Sequence, residues 1–192
     1  MSPVPTDSPT MSLGHAALIT LITEYVPFAL DASRDEAQYL MYFLHVLGEP
    51  LELQYTLNRN GPVSAGVDVL FSEVTEHFAT NCPATAYASW TGVPVDVERQ
   101  AHEVVAHHPG SRLRVARVSE VIDGFESAYA LQLLATVQWM VRHVPEAAND
   151  LAITVRAIGE WTTHDPRMYT EEHIRIAWSA LRDRTTTTYR PR

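Results

Sequence analysis

The chain has 192 residues, of which 46% are hydrophobic, and this length and composition predict a single domain with a buried core. Its formal net charge of −9 disfavours a nucleic-acid binder, which needs a basic surface, and its one cysteine, Cys82, excludes an intramolecular disulfide. No apolar run is long enough to span a membrane and the first residues do not resemble a signal peptide, so we expect a cytoplasmic protein.

The N-terminal part of the sequence predicts a short tail followed by a central helix. Residues 1–11 are rich in proline, serine and threonine, which is typical of a disordered segment. Residues 12–30 are apolar on most sides, with Ser12 in the N-cap position and Pro27 as the residue that ends or kinks the helix. We expect the folded domain to cover residues 12–184 and residues 185–192 to form a flexible tail.

The second predicted helix has sequence signals at both ends. Ser33 and Glu36 have the spacing of a capping box, in which each side chain accepts a hydrogen bond from the amide of the other residue. Gly48 suits the left-handed conformation that follows many helices, and Pro50 prevents the helix from continuing. The sequence therefore predicts a helix over residues 33–47.

An extended segment and a turn follow this helix. Residues 51–57 alternate apolar and polar side chains, which predicts a short strand or hairpin with one buried face. Residues 58–62 predict a turn, in which Gly61 is expected to be extended because it precedes a proline. Pro62 suits the first turn of the next helix, which is expected to end at Phe78.

The rest of the chain predicts further helices. Residues 80–94 contain prolines and glycine and predict a loop, with room for a short strand. Apolar periodicity then predicts helices over residues 96–107, 113–125, 127–144, 150–162 and from Thr170 towards residue 184. The fold class is therefore mainly α, a single domain of about seven helices with a small β element near residues 51–57.

Few side chains are arranged for catalysis or metal binding. His102, His107 and His108 are the densest histidine group, but their spacing is not that of a helical ligand pair, and Cys82 has no recognisable catalytic partner. We therefore expect no metal, no cofactor and no catalytic residue. The last two helices could form a helix-turn-helix, so a DNA-binding regulatory protein is the alternative function, although the final helix is poor in basic residues.

A short acidic stripe is the clearest surface feature of the second half. Glu120, Asp123 and Glu126 recur at every third position. Such a stripe is most often a solvated helix face, and it also suits a surface that contacts a basic partner. Both interpretations stay open at the level of the sequence.

Several separate stretches together resemble a known family. These stretches are residues 11–19, 38–45, 48–53, 60–78, 121–127, 131–139 and 169–181, which include the Asn60-Gly61-Pro62 turn. In order and spacing they resemble the C-terminal, non-macrodomain region of DarG, the antitoxin of DarT–DarG toxin–antitoxin pairs. The second helix and its Gly-Pro turn are also similar, more weakly, to the Panacea or SocA-like antitoxin domains.

The resemblance implies a bacterial antitoxin function. DarT is an ADP-ribosyltransferase that modifies single-stranded DNA, and the C-terminal region of DarG binds this toxin, whereas a macrodomain removes the modification. The resemblance therefore predicts a protein-binding domain that has no enzyme activity and no small-molecule substrate, and that neutralises a DarT-like toxin by contact. The family usually has other residues at the positions of Tyr39, Asn60 and Val63. The predicted partner-binding residues are Asn58, Arg59, Asn60, Gly61, Pro62, Val63, Glu120, Asp123 and Glu126.

Overall fold

The computed structural model describes residues 10–29, 32–78, 92–162 and 168–186. Within these ranges the chain forms eight helices and one two-stranded antiparallel sheet. In chain order the elements are α1 (Leu13–Tyr25), α2 (Arg34–Val46), β1 (Thr56–Asn58), β2 (Gly61–Val63), α3 (Ala65–His77), α4 (Val95–Ala106), α5 (Pro109–Ile122), α6 (Ala128–His143), α7 (Leu151–Trp161) and α8 (Glu171–Thr186). The mainly α fold class with a small β element is confirmed.

The predicted tails and the predicted loop fall largely outside the described residues. Residues 1–9, 79–91 and 187–192 belong to this part of the chain, and they include Cys82. Met11 falls in the segment predicted as the N-terminal tail, yet its side chain is buried in the core. Helix α8 extends to Thr186, two residues into the segment predicted as the C-terminal tail.

Helix α1 is the centre of the fold, as its apolar pattern predicts. It packs against α2, α3, α4 and α5, and nearly all of its side chains are buried. The hydroxyl of Ser12 accepts a hydrogen bond from the amide of His15 at 3.2 Å, which caps the first turn. The helix ends at Tyr25, five residues earlier than predicted, because Pro27 cannot continue it.

Helix α2 has both of the predicted end signals. The Ser33 hydroxyl accepts from the Glu36 amide at 3.2 Å, and the Glu36 carboxylate accepts from the Ser33 amide at 2.9 Å, so the capping box is confirmed. The same buried carboxylate accepts a hydrogen bond from the Tyr25 hydroxyl at 2.6 Å, which ties α1 to α2. Gly48 has a φ of 85°, the left-handed conformation expected after the helix.

The β element is smaller than predicted and includes the turn. Strand β1 covers only Thr56–Asn58, and β2 pairs with it antiparallel in a register that places Asn58 opposite Gly61. Gly61 lies in β2, as the expected extended conformation requires, with a φ of 106°, a value that glycine adopts freely. Pro62 lies in β2, and not in the first turn of α3, because the second strand of the hairpin occupies residues 61–63 and Ser64 is the N-cap of that helix.

The boundary between α4 and α5 also differs from the prediction. The sequence predicts a break between two helices at residues 108–110, yet Pro109 is the first residue of α5, where its missing amide costs no hydrogen bond. The carboxylate of Glu49, whose side chain is fully buried, accepts hydrogen bonds from the Ser111 hydroxyl at 2.5 Å and from Arg114 at 3.1 Å. These bonds hold the start of α5 against the segment that follows α2.

Helix α6 organises the C-terminal half. It packs against α2, β2, α7 and α8, and Ser127 caps its first turn as predicted. The indole N–H of Trp178 in α8 donates to the carbonyl of Ala147 at 2.9 Å, which fixes α8 against the segment before α7. Across the described ranges, no helix combines the length and the apolar character needed to cross a membrane.

Candidate partner-binding surface

The predicted acidic stripe forms one side of a groove. Glu120 and Asp123 lie at the C-terminal end of α5, and Glu126 follows the turn that leads to α6. A cavity of about 420 Å³ opens between this end of α5 and the end of α1. The cavity, called the acidic groove below, is lined by Leu21, Glu24, Tyr25, Phe28, Leu40, Ser119, Glu120, Ile122, Asp123 and Glu126. Among the described residues, its lining contains four carboxylates and no basic side chain.

Helix α1 contributes residues that the sequence did not indicate as functional. The Glu24 carboxylate accepts a hydrogen bond from the Ser119 hydroxyl at 3.0 Å, which joins the two walls of the acidic groove. Phe28 lies just after Pro27, where the helix has ended, and 75% of its surface is exposed. In the sequence, an aromatic residue directly after a helix-ending proline indicates that Phe28 is exposed. The sequence alone does not show that Phe28 lies beside α5.

The carboxylates of the stripe have different neighbours. Glu120 forms an ion pair with Arg117, and Asp123 lies 3.9 Å from Arg184. The Glu126 carboxylate accepts a hydrogen bond from the Gly124 amide at 3.0 Å. In both ion pairs the carboxylate is exposed, at 62% for Glu120 and 81% for Asp123, so water and salt weaken its attraction to the less exposed arginine. The groove therefore keeps an acidic rim around an apolar floor.

The buried Tyr25 side chain in the floor of the acidic groove has a raised pKa. Burial raises the pKa of the Tyr25 hydroxyl above its usual value, and the hydrogen bond to Glu36 and the charge of Glu126 raise that pKa further. The phenol therefore stays neutral and donates a hydrogen bond to the Glu36 carboxylate. The floor of the acidic groove is thereby fixed before any partner binds.

The second set of predicted binding residues lies in the β hairpin, and only part of this set is exposed. Asn58 and Arg59 are exposed, whereas Gly61 and Pro62 are buried. The Asn58 side chain accepts a hydrogen bond from the Asn60 amide at 2.7 Å, which shapes the turn. None of the hairpin residues is among those that line the acidic groove. The two predicted sets therefore do not form one site around that cavity.

Side chains of α2 and α6 hold the hairpin in place. The Asn60 carbonyl accepts hydrogen bonds from the Tyr39 hydroxyl and from the Gln132 amide, the latter at 2.9 Å. Gln38 donates to the Ser64 carbonyl at 3.0 Å and accepts from the Ser64 amide at 2.9 Å. Tyr39 and Asn60 thus contact each other directly.

Other candidates from the sequence are not brought together. His102 lies 3.8 Å from Glu98 on its own helix, and His108 donates to the Val104 carbonyl at 2.8 Å. In the ranges that the structure covers, no three potential ligand side chains are grouped around a metal position. The turn of the predicted helix-turn-helix, residues 163–166, lies outside the described residues, and α8 begins with two acidic residues, Glu171 and Glu172.

Three known proteins that are similar to this chain carry the same name. No protein-family model matches the chain. The chain is 29% identical over 175 residues to the DNA ADP-ribosyl glycohydrolase of Thermus aquaticus, an alignment that covers 90% of this chain and 47% of the relative. It is 27% identical over 183 residues to proteins of the same name from Mycobacterium tuberculosis and Mycobacterium bovis, covering 87% of this chain and 51% of each relative. The chain therefore spans about half the length of the curated relatives it matches.

These relatives support the DarG resemblance and correct one expectation. Over most of its length the chain is related to proteins named DNA ADP-ribosyl glycohydrolase, as a DarG resemblance requires. The expectation that the protein is not an enzyme is wrong, because the relatives are named for an enzyme activity. The resemblance was drawn to the region outside the macrodomain. It therefore did not include the glycohydrolase activity for which these relatives are named.

Proposed function

We propose that this chain is a toxin-binding region of a protein similar to the DNA ADP-ribosyl glycohydrolases, and that it contacts a DarT-like DNA ADP-ribosyltransferase through the acidic groove. The observation that carries the proposal is the groove lining, which in the described chain has four carboxylates, no basic side chain and an apolar floor. A toxin that modifies DNA needs a basic surface to hold phosphates. An acidic surface on its antitoxin is complementary to that surface and competes with the DNA.

The apolar part of the groove supports a protein partner. The exposed Phe28 projects beside buried Leu21 and Leu40 in the lining of the cavity. Buried aromatic anchors contribute much of the energy of protein interfaces, and surrounding charges add orientation and association rate. A purely solvated acidic face would need neither the aromatic side chain nor the cavity.

The experiment co-expresses the chain with a DarT-like toxin and measures cell survival, complex formation by size-exclusion chromatography, and Kd by calorimetry. We expect a complex whose affinity falls as salt rises. The triple variant Glu120→Lys, Asp123→Lys and Glu126→Lys should weaken the complex by at least a hundredfold and abolish protection. The matched control reverses three exposed acidic residues that do not line the groove, through Asp96→Lys, Glu103→Lys and Glu160→Lys.

Two results would overturn the proposal. The first is an equal loss of toxin binding in the groove variant and in the control. That result would show that the net charge of the chain, and not the acidic groove, determines the affinity. The second is protection without a complex, accompanied by release of ADP-ribose from modified single-stranded DNA by the purified chain. That result would assign protection to hydrolysis of the modification, the activity in the names of the relatives, and not to contact with the toxin.

A further inference from the structure

A second groove lies beside the acidic groove and has a different chemical character. It is a cavity of about 430 Å³ between α6 and α8, called the α6–α8 groove below. Its apolar lining includes Phe125, Tyr129, Ala130, Leu133, Ile176 and Ala180, and Arg184, the ion-pair partner of Asp123, also lines it. Tyr129 and Ile176 are 42% and 47% exposed, so two of the large exposed hydrophobic side chains of the described chain meet at this one cavity.

The two grooves are adjacent. Asp123 lines both of them, and the turn from Asp123 to Glu126 separates the acidic side from the apolar side. Gly124, at the centre of this turn, has a φ of 79°, and a Cβ added there would meet no atom of the described chain within 4 Å beyond its immediate neighbours. The exposed backbone of Gly124 therefore lies between the two cavities with no side chain packed over it.

The walls of the α6–α8 groove are already fixed. The Tyr129 hydroxyl is hydrogen-bonded to Nδ1 of His173 at 2.8 Å, and its ring packs against Tyr169 at a centroid distance of 5.5 Å. Phe125 and Leu133 below them are buried. Binding of a ligand side chain in this groove therefore costs little ordering of its surroundings.

We infer that the two grooves together bind one extended protein segment, with a basic side chain in the acidic groove and an aliphatic or aromatic side chain in the α6–α8 groove. The inference rests on the proposed function and specifies the segment that the toxin presents. Charge complementarity selects the basic residue, since the four carboxylates repel phosphate and other anions. One short segment can place its side chains in both cavities, because Asp123 is the one described residue that lines both of them.

A peptide experiment tests this inference independently of the toxin. The probes are fluorescein-labelled peptides of glycine and serine that contain an arginine and a leucine two, three or four positions apart, with matched peptides that lack either side chain. Fluorescence anisotropy with the full chain should give, for the best spacing, an affinity at least tenfold higher than for the arginine-only or leucine-only peptide. No gain from leucine at any spacing would overturn the inference.

Variants locate the leucine effect in the α6–α8 groove. Ile176→Ser removes an exposed apolar wall, and Ala180→Phe fills the cavity, so each should cancel the gain from leucine and leave binding of the arginine-only peptide unchanged. Val95→Ser is the matched control, because Val95 is 80% exposed on α4 and lines neither groove. Retention of the leucine gain in both groove variants, with melting curves that show folded protein, would contradict the two-groove assignment.

The toxin itself distinguishes failure of the inference from failure of the proposed function. If the toxin binds and Ile176→Ser and Ala180→Phe both leave its Kd unchanged, the inference is wrong and the proposed function stands. If the toxin does not bind but the peptide gain is present and sensitive to these variants, the proposed function is wrong and the two-groove site stands. We expect both variants to weaken the toxin complex at least tenfold without changing its salt dependence.

Discussion

At the scale of single residues, side chains that bond to backbone groups decide how the hairpin is held. Gln38 makes two hydrogen bonds with the backbone of buried Ser64, as a neighbouring strand would. Gln38→Ala leaves both groups without these bonds, and each unsatisfied buried group costs about 1–3 kcal/mol. We expect the free energy of unfolding in urea to fall by about 2–4 kcal/mol. Gln54→Ala, at an exposed position, should change it by less than about 0.5 kcal/mol.

Alanine substitutions at two glycines, Gly61 and Gly159, are predicted to change the stability of the fold in opposite directions. Gly61 has a φ of 106°, and a Cβ there would lie 3.3 Å from Thr136 Oγ1 and from Tyr39 Cε1. Gly61→Ala should therefore destabilise the fold by about 1–3 kcal/mol. Gly159 lies within α7 with open space around it, so Gly159→Ala should stabilise the fold by about 0.5–1 kcal/mol. Thermal unfolding measures both, and equal shifts would contradict the role assigned to the Gly61 backbone.

At the scale of elements, the N-cap serines Ser33 and Ser64 are predicted to contribute differently to stability. The Ser33 hydroxyl caps α2, whereas Ser64 is the N-cap of α3 but makes no side-chain cap bond, and its buried hydroxyl has no hydrogen-bond partner within the described ranges. Ser33→Ala should cost about 0.5–2 kcal/mol of stability. Ser64→Ala should be neutral or slightly stabilising, because it removes a buried polar group that is unsatisfied. Chemical denaturation of both variants checks this, and a larger loss from Ser64→Ala would show that its hydroxyl is needed.

At the scale of the whole molecule, buried tyrosines predict loss of stability at alkaline pH. Burial is the largest cause that raises the pKa values of Tyr25, Tyr39, Tyr42, Tyr55 and Tyr169 above the usual value of about 10. Above that pH the unfolded chain loses phenol protons that the folded chain keeps, so the free energy of unfolding falls as pH rises. Each tyrosine contributes at most about 1.4 kcal/mol per pH unit to that slope.

Spectroscopy tests this prediction. The phenolate absorbance of the buried tyrosines should appear together with loss of helical circular dichroism, and not as a separate earlier titration. Tyr42→Phe should reduce the pH sensitivity, and at neutral pH it should cost little because the Tyr42 hydroxyl has no hydrogen-bond partner among the described residues. Smooth ionisation of these tyrosines in a chain that keeps its helical signal would contradict the prediction.

Local signals explain what could be predicted from the sequence. The capping box of Ser33 and Glu36, the glycine after α2 and the serine before α6 act within a few residues, so their patterns are visible in the chain. Apolar periodicity likewise indicated which faces of the helices are buried. The segment before β1 misled the same reasoning, because residues 51–55 alternate like a strand but pair with no strand in the described part of the chain. Pairing is a property of two segments, and one segment cannot show it.

The sequence by itself determined the helical class, most helix ends and the acidic balance, because capping, periodicity and charge are local or additive. Only the tertiary structure decided which acidic residues share a cavity. It placed Glu24 and Phe28 beside Glu120 and Asp123 at the end of α5, almost a hundred positions further along the chain. It also buried part of the predicted turn beneath α2 and α6. A binding surface depends on distances between segments far apart in sequence, and these distances are set only when the core packs.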